Sequence, residues 1–251
     1  MENSQCFQRI EQKYVLHRQV YHRLRQQLEN RMIPDQYGVC HISSVYFDTV
    51  DHRMVRQSLE KLRYKEKLRL RAYGLPMPDR PAFVELKKKC GGIVYKRRVE
   101  MQLAEAENYL YHGGHPKAEI LREVDYLRQF YGELRPAAWI GYARIALAGL
   151  EDPALRITFD WDLRWRNEDM YLNDNQTGRR LLPEQQHLME IKVPGAMPLW
   201  LVHILGQLEI YPVSFSKYGT AYQQSVALGA VNREADILLP NGVKKGMMIC
   251  A

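Results

Sequence analysis

The sequence predicts an α+β protein whose antiparallel strands curl into a barrel with helices packed on the outside. Three observations carry that reading. First, Lys65-Glu66-Lys67-Leu68-Arg69-Leu70-Arg71-Ala72-Tyr73-Gly74 alternates, and strand side chains point to opposite faces, so Lys65, Lys67, Arg69 and Arg71 share one face while Leu68, Leu70 and Ala72 share the other. Second, at least six segments repeat this arrangement of charge against aliphatic residues. Third, the charge is biased to Lys and Arg, interrupted by the isolated acids Glu11, Glu85 and Glu190, each two residues before a lysine. A solvated outer face explains any one such strand but not the shared bias. A barrel with apolar faces outward under helices and charged faces around a lumen explains both. Such a lumen repels itself unless a polyanion fills it, and the few carboxylates could then hold a divalent metal.

The elements follow in order. Residues 9–15 alternate Arg9, Glu11 and Lys13 on one face of a strand, and Leu16, Val20, Leu24 and Leu28 recur at helical spacing until Pro34. Ser43 to Thr49 reads as a strand, residues 51–60 as a short helix or turn, and Lys65 to Gly74 as the basic strand. After a Pro-rich loop, Phe83 to Lys89 and Ile93 to Met101 form a hairpin about Gly91-Gly92, the first strand with Glu85, Lys87 and Lys89 on one face and its partner with Lys96 and Arg98 on one face. Residues 102–135 are helical with a break at Gly113-Gly114. Strands follow at Trp139 to Leu147, at Leu155 to Trp161 with Arg156, Thr158 and Asp160 on one face, and at His187 to Val193 with Glu190 and Lys192 on one face. Pro198 opens a further helix, and residues 212–218 read as a short strand or loop. The expected organisation is one domain over residues 1–231 and a flexible tail over 232–251.

The net charge of +7 and pI near 9.2 favour an anionic partner. Cys6, Cys40, Cys90 and Cys250 are far apart without CxxC spacing, which indicates neither a zinc site nor a disulfide framework. His17, His22 and His52 have no second ligand at metal spacing. No apolar leader and no run of about 18 apolar residues occurs, so a cytoplasmic protein without a transmembrane segment is expected. The absence of helix-turn-helix, zinc-finger or RNP-type patterns argues against nucleic acid as the partner.

The segments Ser44-Val45-Tyr46-Phe47-Asp48, Tyr64 to Gly74, Phe83-Val84-Glu85-Leu86-Lys87 with Tyr95-Lys96-Arg97-Arg98, Leu155 to Asp160, Glu190-Ile191-Lys192 and Ser214-Phe215-Ser216-Lys217-Tyr218 resemble, in order over roughly residues 7–225, the VTC domain. That domain is the polyphosphate polymerase of the vacuolar transporter chaperone complex, with stand-alone bacterial relatives, and it belongs to the CYTH-like triphosphate tunnel metalloenzymes. The resemblance implies an eight-stranded antiparallel tunnel. It implies a metal-dependent transfer of the ATP γ-phosphoryl group to inorganic polyphosphate, with Mn²⁺ or Mg²⁺ as the metal. ATP, triphosphate and polyphosphate would be the partners.

By that resemblance Lys13, Arg69, Arg71, Lys87, Lys96, Arg144 and Arg156 bind phosphate, joined on the charged faces by Lys65, Lys67 and Lys192. Glu190 is the expected metal carboxylate, with Glu11 and Glu85 as further candidates, and Ser216 and Lys217 match a Ser-Lys pair beside the transferred phosphate. Arg69, Arg71, Glu190, Ser216 and Lys217 make up the expected catalytic set. Asp48 and Asp160 read as holding basic side chains in place, while Lys88, Lys89 and Arg97 read equally well as solvent-facing charges. CYTH-type triphosphatases begin Glu-x-Glu-x-Lys, whereas this chain has Arg9-x-Glu11-x-Lys13, which favours a polymerase over a tri- or polyphosphate hydrolase. A non-catalytic polyphosphate- or nucleotide-binding module is the third reading.

Overall fold

Alternation of charged and aliphatic residues produces one large antiparallel sheet, seen in a computed structural model that describes residues 10–91, 93–113 and 119–230. Its strands are β1 (Ile10–His17), β2 (Met32–Thr49), β3 (Tyr64–Tyr73), β4 (Pro81–Cys90), β5 (Ile93–Gln102), β6 (Leu134–Gly149), β7 (Arg156–Arg166), β8 (Arg179–Arg180) and β9 (Gln186–Val193). They lie in the order β1-β9-β7-β6-β2-β3-β4-β5, with the short β8 paired to β7. The helices are α1 (Arg18–Leu28), α2 (Arg53–Leu59), α3 (Leu103–His112), α4 (Glu119–Tyr131), α5 (Leu199–Gln207) and α6 (Lys217–Ala227).

The sheet curls as expected, with one difference: among the described residues its hydrogen-bond ladder does not close, because β1 and β5 lie at opposite ends of the strand order. A loop meets the β1 edge instead. The Val213 amide donates to the Lys13 carbonyl at 2.7 Å, and Lys13 Nζ donates to the Phe215 carbonyl at 3.1 Å.

Aliphatic strand faces point outward and are covered by helices. Leu68, Leu70, Val84 and Leu86 pack with Leu103, Ala106 and Leu110 of α3 and with Leu121, Val124 and Leu127 of α4. On the other flank Ile157, Phe159, Met189 and Ile191 pack with Leu24 and Leu28 of α1 and with Leu201 and Leu205 of α5. A third cluster, with Tyr46, Ile140 and Trp165, receives Tyr218, Ala221 and Tyr222 of α6. Asp48, fully buried, ties these parts together. Its carboxylate accepts from the Met54 and Val55 amides at the start of α2 (2.8 and 2.9 Å) and from the Tyr218 hydroxyl at 2.9 Å. It therefore caps a helix instead of holding a basic side chain.

Several expectations are corrected. The strand expected from Ser43 begins at Met32 and carries Pro34, tolerated because the β2–β6 register shifts between Pro34 and Val39. Residues 217–227 are helical where a strand or loop was expected at 212–218, because the Ser216 side chain accepts from the Gly219 amide and caps α6. Cys40 is a free thiol, and Cys6 and Cys250 lie outside the described residues. No helix among the described residues is long and apolar enough to cross a membrane. Arg9, Gly92, Gly114 and the expected tail over 232–251 lie outside the described residues.

Candidate functional site

The inward faces of the strands enclose a cavity of about 360 Å³. Its lining carries eleven Lys and Arg side chains (Lys13, Lys65, Lys67, Arg69, Arg71, Lys87, Lys89, Lys96, Arg144, Lys192 and Lys217) against the two carboxylates Glu11 and Glu190. Along β3 the lining extends from Lys65 to Tyr73, about 26 Å at strand rise. Lys67, Lys87 and Lys96 stand in register across β3, β4 and β5, and Lys65 stands opposite Lys89. Like charges facing one another destabilise a sheet, so this wall is unfavourable until an anion joins it.

Glu85 is the carboxylate of that wall. Its Oε2 accepts from Arg69 Nε at 2.6 Å and lies 3.9 Å from Arg71 Nη1, while its Oε1 lies 2.8 Å from Lys96 Nζ. Burial opposes its ionisation, but these three cations outweigh burial and hold its acid well below the usual range. Arg69 also donates to the Tyr46 hydroxyl at 3.0 Å, and Arg71 donates to Ser44 Oγ and to the Tyr142 hydroxyl, both at 3.2 Å. Both guanidinium groups are thereby fixed in orientation.

The opposite wall is a dense ion-pair network. Arg144 grips Asp160 with two bonds of 2.6 and 2.7 Å, and Lys217 Nζ sits 2.7 Å from Asp160 Oδ2 and 3.1 Å from Glu190 Oε1. Glu190 is further approached by Lys13 at 3.8 Å, Lys192 at 3.6 Å and Arg144 at 3.9 Å. Burial pushes the pKa of Glu190 up, yet Lys217 and its neighbours overcome that and hold it well below the usual carboxylate range. Burial likewise opposes the charge on Lys217, and Asp160 and Glu190 restore it, so its ammonium is held above the usual lysine value.

Two lysines are pulled well below the usual lysine value. Burial, reinforced by Lys13, Lys87 and Arg69, lowers Lys67 to about 8 despite the favourable Tyr46 contact. Burial and the repulsion of Arg69 and Arg71 likewise bring Lys96 to about 8, although Glu85 opposes the shift. Burial pushes the Tyr46 phenol up, but Arg69, Arg71 and Lys67 bring it down to about 8.

Nearly all the residues singled out in the sequence converge here: Lys13, Lys65, Lys67, Arg69, Arg71, Lys87, Lys96, Arg144, Lys192, Ser216, Lys217, Glu11 and Glu190 line one cavity. Arg156 does not. It lies on the same sheet face but at the start of β7, where its Nη2 donates to Asp35 Oδ2 at 3.2 Å. Sequence reasoning missed Tyr46, Tyr142 and Tyr73 as lining residues, although Tyr142 is two positions from Arg144 and therefore on its face.

The carboxylates bear unequally on a divalent metal. Glu85 is fully buried and does not line the cavity, whereas Glu11 and Glu190 do, and these two sit diagonally across the β1–β9 pair with Lys13 between them, at 3.5 and 3.8 Å. Two carboxylates completed by phosphate oxygens and water suit Mg²⁺-like cations, so Glu11 and Glu190 fit the role. No cluster of three or more His, Cys, Asp or Glu occurs among the described residues.

Among solved structures, a candidate adenylate cyclase from Bacillus halodurans superposes with a TM-score of 0.54 at 17% identity, covering 82% of this chain and 92% of that one. An adenylyl cyclase candidate from Hippeastrum with dominant triphosphatase activity gives 0.52 at 13% identity, covering 86% and 96%. Both likenesses establish the fold, an antiparallel tunnel-like sheet with helices outside. No curated protein matches in sequence. The VTC domain family matches over residues 8–226, the span that builds the sheet, the helices and every residue of the cavity, and the chain belongs to that family.

Proposed function

We propose that the protein is a metal-dependent polyphosphate polymerase that transfers the ATP γ-phosphoryl group to a growing inorganic polyphosphate chain within the basic cavity. Membership of the VTC domain family ties the chain to tri- and polyphosphate chemistry. The observation that supports the reading most is the in-register row Lys67, Lys87 and Lys96 beside Arg69 and Arg71, a wall whose charge needs a polyanion. In phosphoryl transfer, catalysis is mainly positioning and charge neutralisation.

Arg69 and Arg71, held by Glu85, Ser44 and Tyr142, present fixed forks suited to bidentate contact with phosphate oxygens. Lys67, Lys87 and Lys96 supply mobile charges along the chain. Lys217, fixed by Asp160 and Glu190 beside Ser216, faces the phosphoryl group in transit. The terminal oxygen of the chain attacks the γ-phosphorus, the bond to the β-phosphate oxygen breaks, and ADP leaves. Glu11 and Glu190 would hold Mn²⁺ or Mg²⁺, which neutralises charge on the phosphate oxygens.

Hydrolysis on the same scaffold is the second reading, supported by the triphosphatase activity of the structurally similar Hippeastrum protein. Incubation with ATP and Mn²⁺ separates the two. Long phosphate chains and ADP are expected, and release of orthophosphate alone would sink the polymerase. A non-catalytic module would bind polyphosphate and turn over nothing. Lys217→Ala is expected to lower chain synthesis about 100-fold, the scale of losing one charge-stabilising group.

A further inference from the structure

Beyond the cavity, at the β3 end marked by Lys65, the basic surface continues into an open groove of about 480 Å³ lined by Lys61, Arg63, Lys65, Lys89 and Ser214. Lys65 and Lys89 line both spaces, so the two are continuous. We propose that this groove is an external subsite for inorganic polyphosphate, gripping the chain where it leaves the cavity. The proposal rests on the polyphosphate reading above and adds the path of the chain outside the site.

The groove carries four cations and no lining carboxylate. Elsewhere on the surface, cations commonly meet acids, as in Lys88 and Arg97 with Glu123, Arg56 with Asp51, and Arg180 with Asp162. Among the described residues, Lys61, Arg63, Lys65 and Lys89 form no salt bridge. Lys65 and Lys89 are directly opposed in register, a repulsive arrangement that an anion would relieve. Lys61 also adopts left-handed backbone (φ 57°), uncommon for a residue with a side chain. The Lys65 ammonium is pushed below the usual lysine value by burial and then by Lys89 and Lys61. The backbone at Arg63 is pinned by the bond from the Gly91 amide at 3.1 Å, so the groove's walls are held together without its side chains.

On this proposal a triphosphate held at Arg69 and Arg71 stays within the cavity, whereas a long chain extends past Lys65 into the groove. The test compares inorganic triphosphate, long-chain inorganic polyphosphate and single-stranded poly(U), binding to the wild type and to Lys61→Ser/Arg63→Ser by calorimetry across salt concentrations. The wild type is expected to bind polyphosphate more tightly than triphosphate. The double variant should weaken polyphosphate binding about tenfold and reduce its salt slope by about 1.4, at roughly 0.7 per lost contact, while leaving triphosphate binding intact. The charge-preserving Lys61→Arg/Arg63→Lys should restore the wild-type values. Equal weakening of both phosphates, or of neither, overturns the groove while leaving the cavity's function standing. Equal affinity for poly(U) also overturns it, since the surface would then be a general polyanion face. Failure of the wild type to bind either phosphate rejects the functional reading and the groove with it.

Discussion

The two walls of the cavity solve the problem of buried charge in opposite ways. On the β3–β4–β5 wall, seven cations line the space, and three of them, Arg69, Arg71 and Lys96, meet the buried Glu85. On the β1–β9–β7–β6 wall with α6, Lys13, Lys192, Arg144 and Lys217 are interleaved with Glu11, Glu190 and Asp160. A buried charge must be paired to be tolerated, so the second wall balances its cations with its own carboxylates, while the first carries an excess of cations that an anion would relieve. Under the proposed function the self-paired wall is the scaffold that holds Lys217 in place, and the cation-rich wall is the receptor for the length of the phosphate chain.

Substitutions sharpen that contrast, beginning with the scaffold. Asp160→Ala strands Arg144 and Lys217 without their main counter-charge, and the expected loss is about 3–5 kcal/mol of unfolding free energy in denaturant titration. Lys67→Met, on the receptor wall, should leave the ligand-free protein as stable as the wild type or more so. The same change should weaken triphosphate binding about tenfold, about 1.4 kcal/mol. A stability loss from Lys67→Met as large as that from Asp160→Ala would erase the distinction between the walls.

The smallest effect is a pH dependence. Lys67 and Lys96 sit at about 8 in the folded protein, below their ordinary value of 10.5. Between these values the unfolded chain binds more protons, so stability of the ligand-free protein should rise as pH increases through this window. Triphosphate affinity should fall over the same interval, because the receptor wall loses positive charge. Calorimetric binding and thermal unfolding from pH 7 to 10 should therefore move in opposite directions, and parallel trends would contradict the assignment.

Strand faces were legible in the sequence because a two-residue period assigns each side chain to one side, which is why Lys65 to Arg71 could be placed inward. Reach along the strand was not legible. Arg156 shares a face with Asp160, yet it sits at the strand's start, and its partner Asp35 belongs to the part of β2 that Pro34 concealed. Pairing was half legible: Glu85 read as equally suited to a metal or to a neighbouring lysine, and only the cross-strand positions of Arg69 and Lys96 show which cations it meets. Helix α6 was missed although Ser216 before Tyr218, Ala221, Tyr222 and Ser225 is a cap followed by a helical stripe of buried residues. The run of Pro212, Val213 and Phe215 just before it drew the reading toward a strand.

That helix has an electrical consequence. The N-terminal end of α6 opens at Ser216 and Lys217 into the cavity, and a helix N-terminus carries roughly half a positive charge from its aligned peptide dipoles. Unlike Lys67 and Lys96, peptide dipoles have no proton to lose. As Lys67 and Lys96 lose their protons on the alkaline side of pH 8, the floor beneath Lys217 keeps its positive potential, and the balance of anion attraction shifts toward α6 and the two arginines.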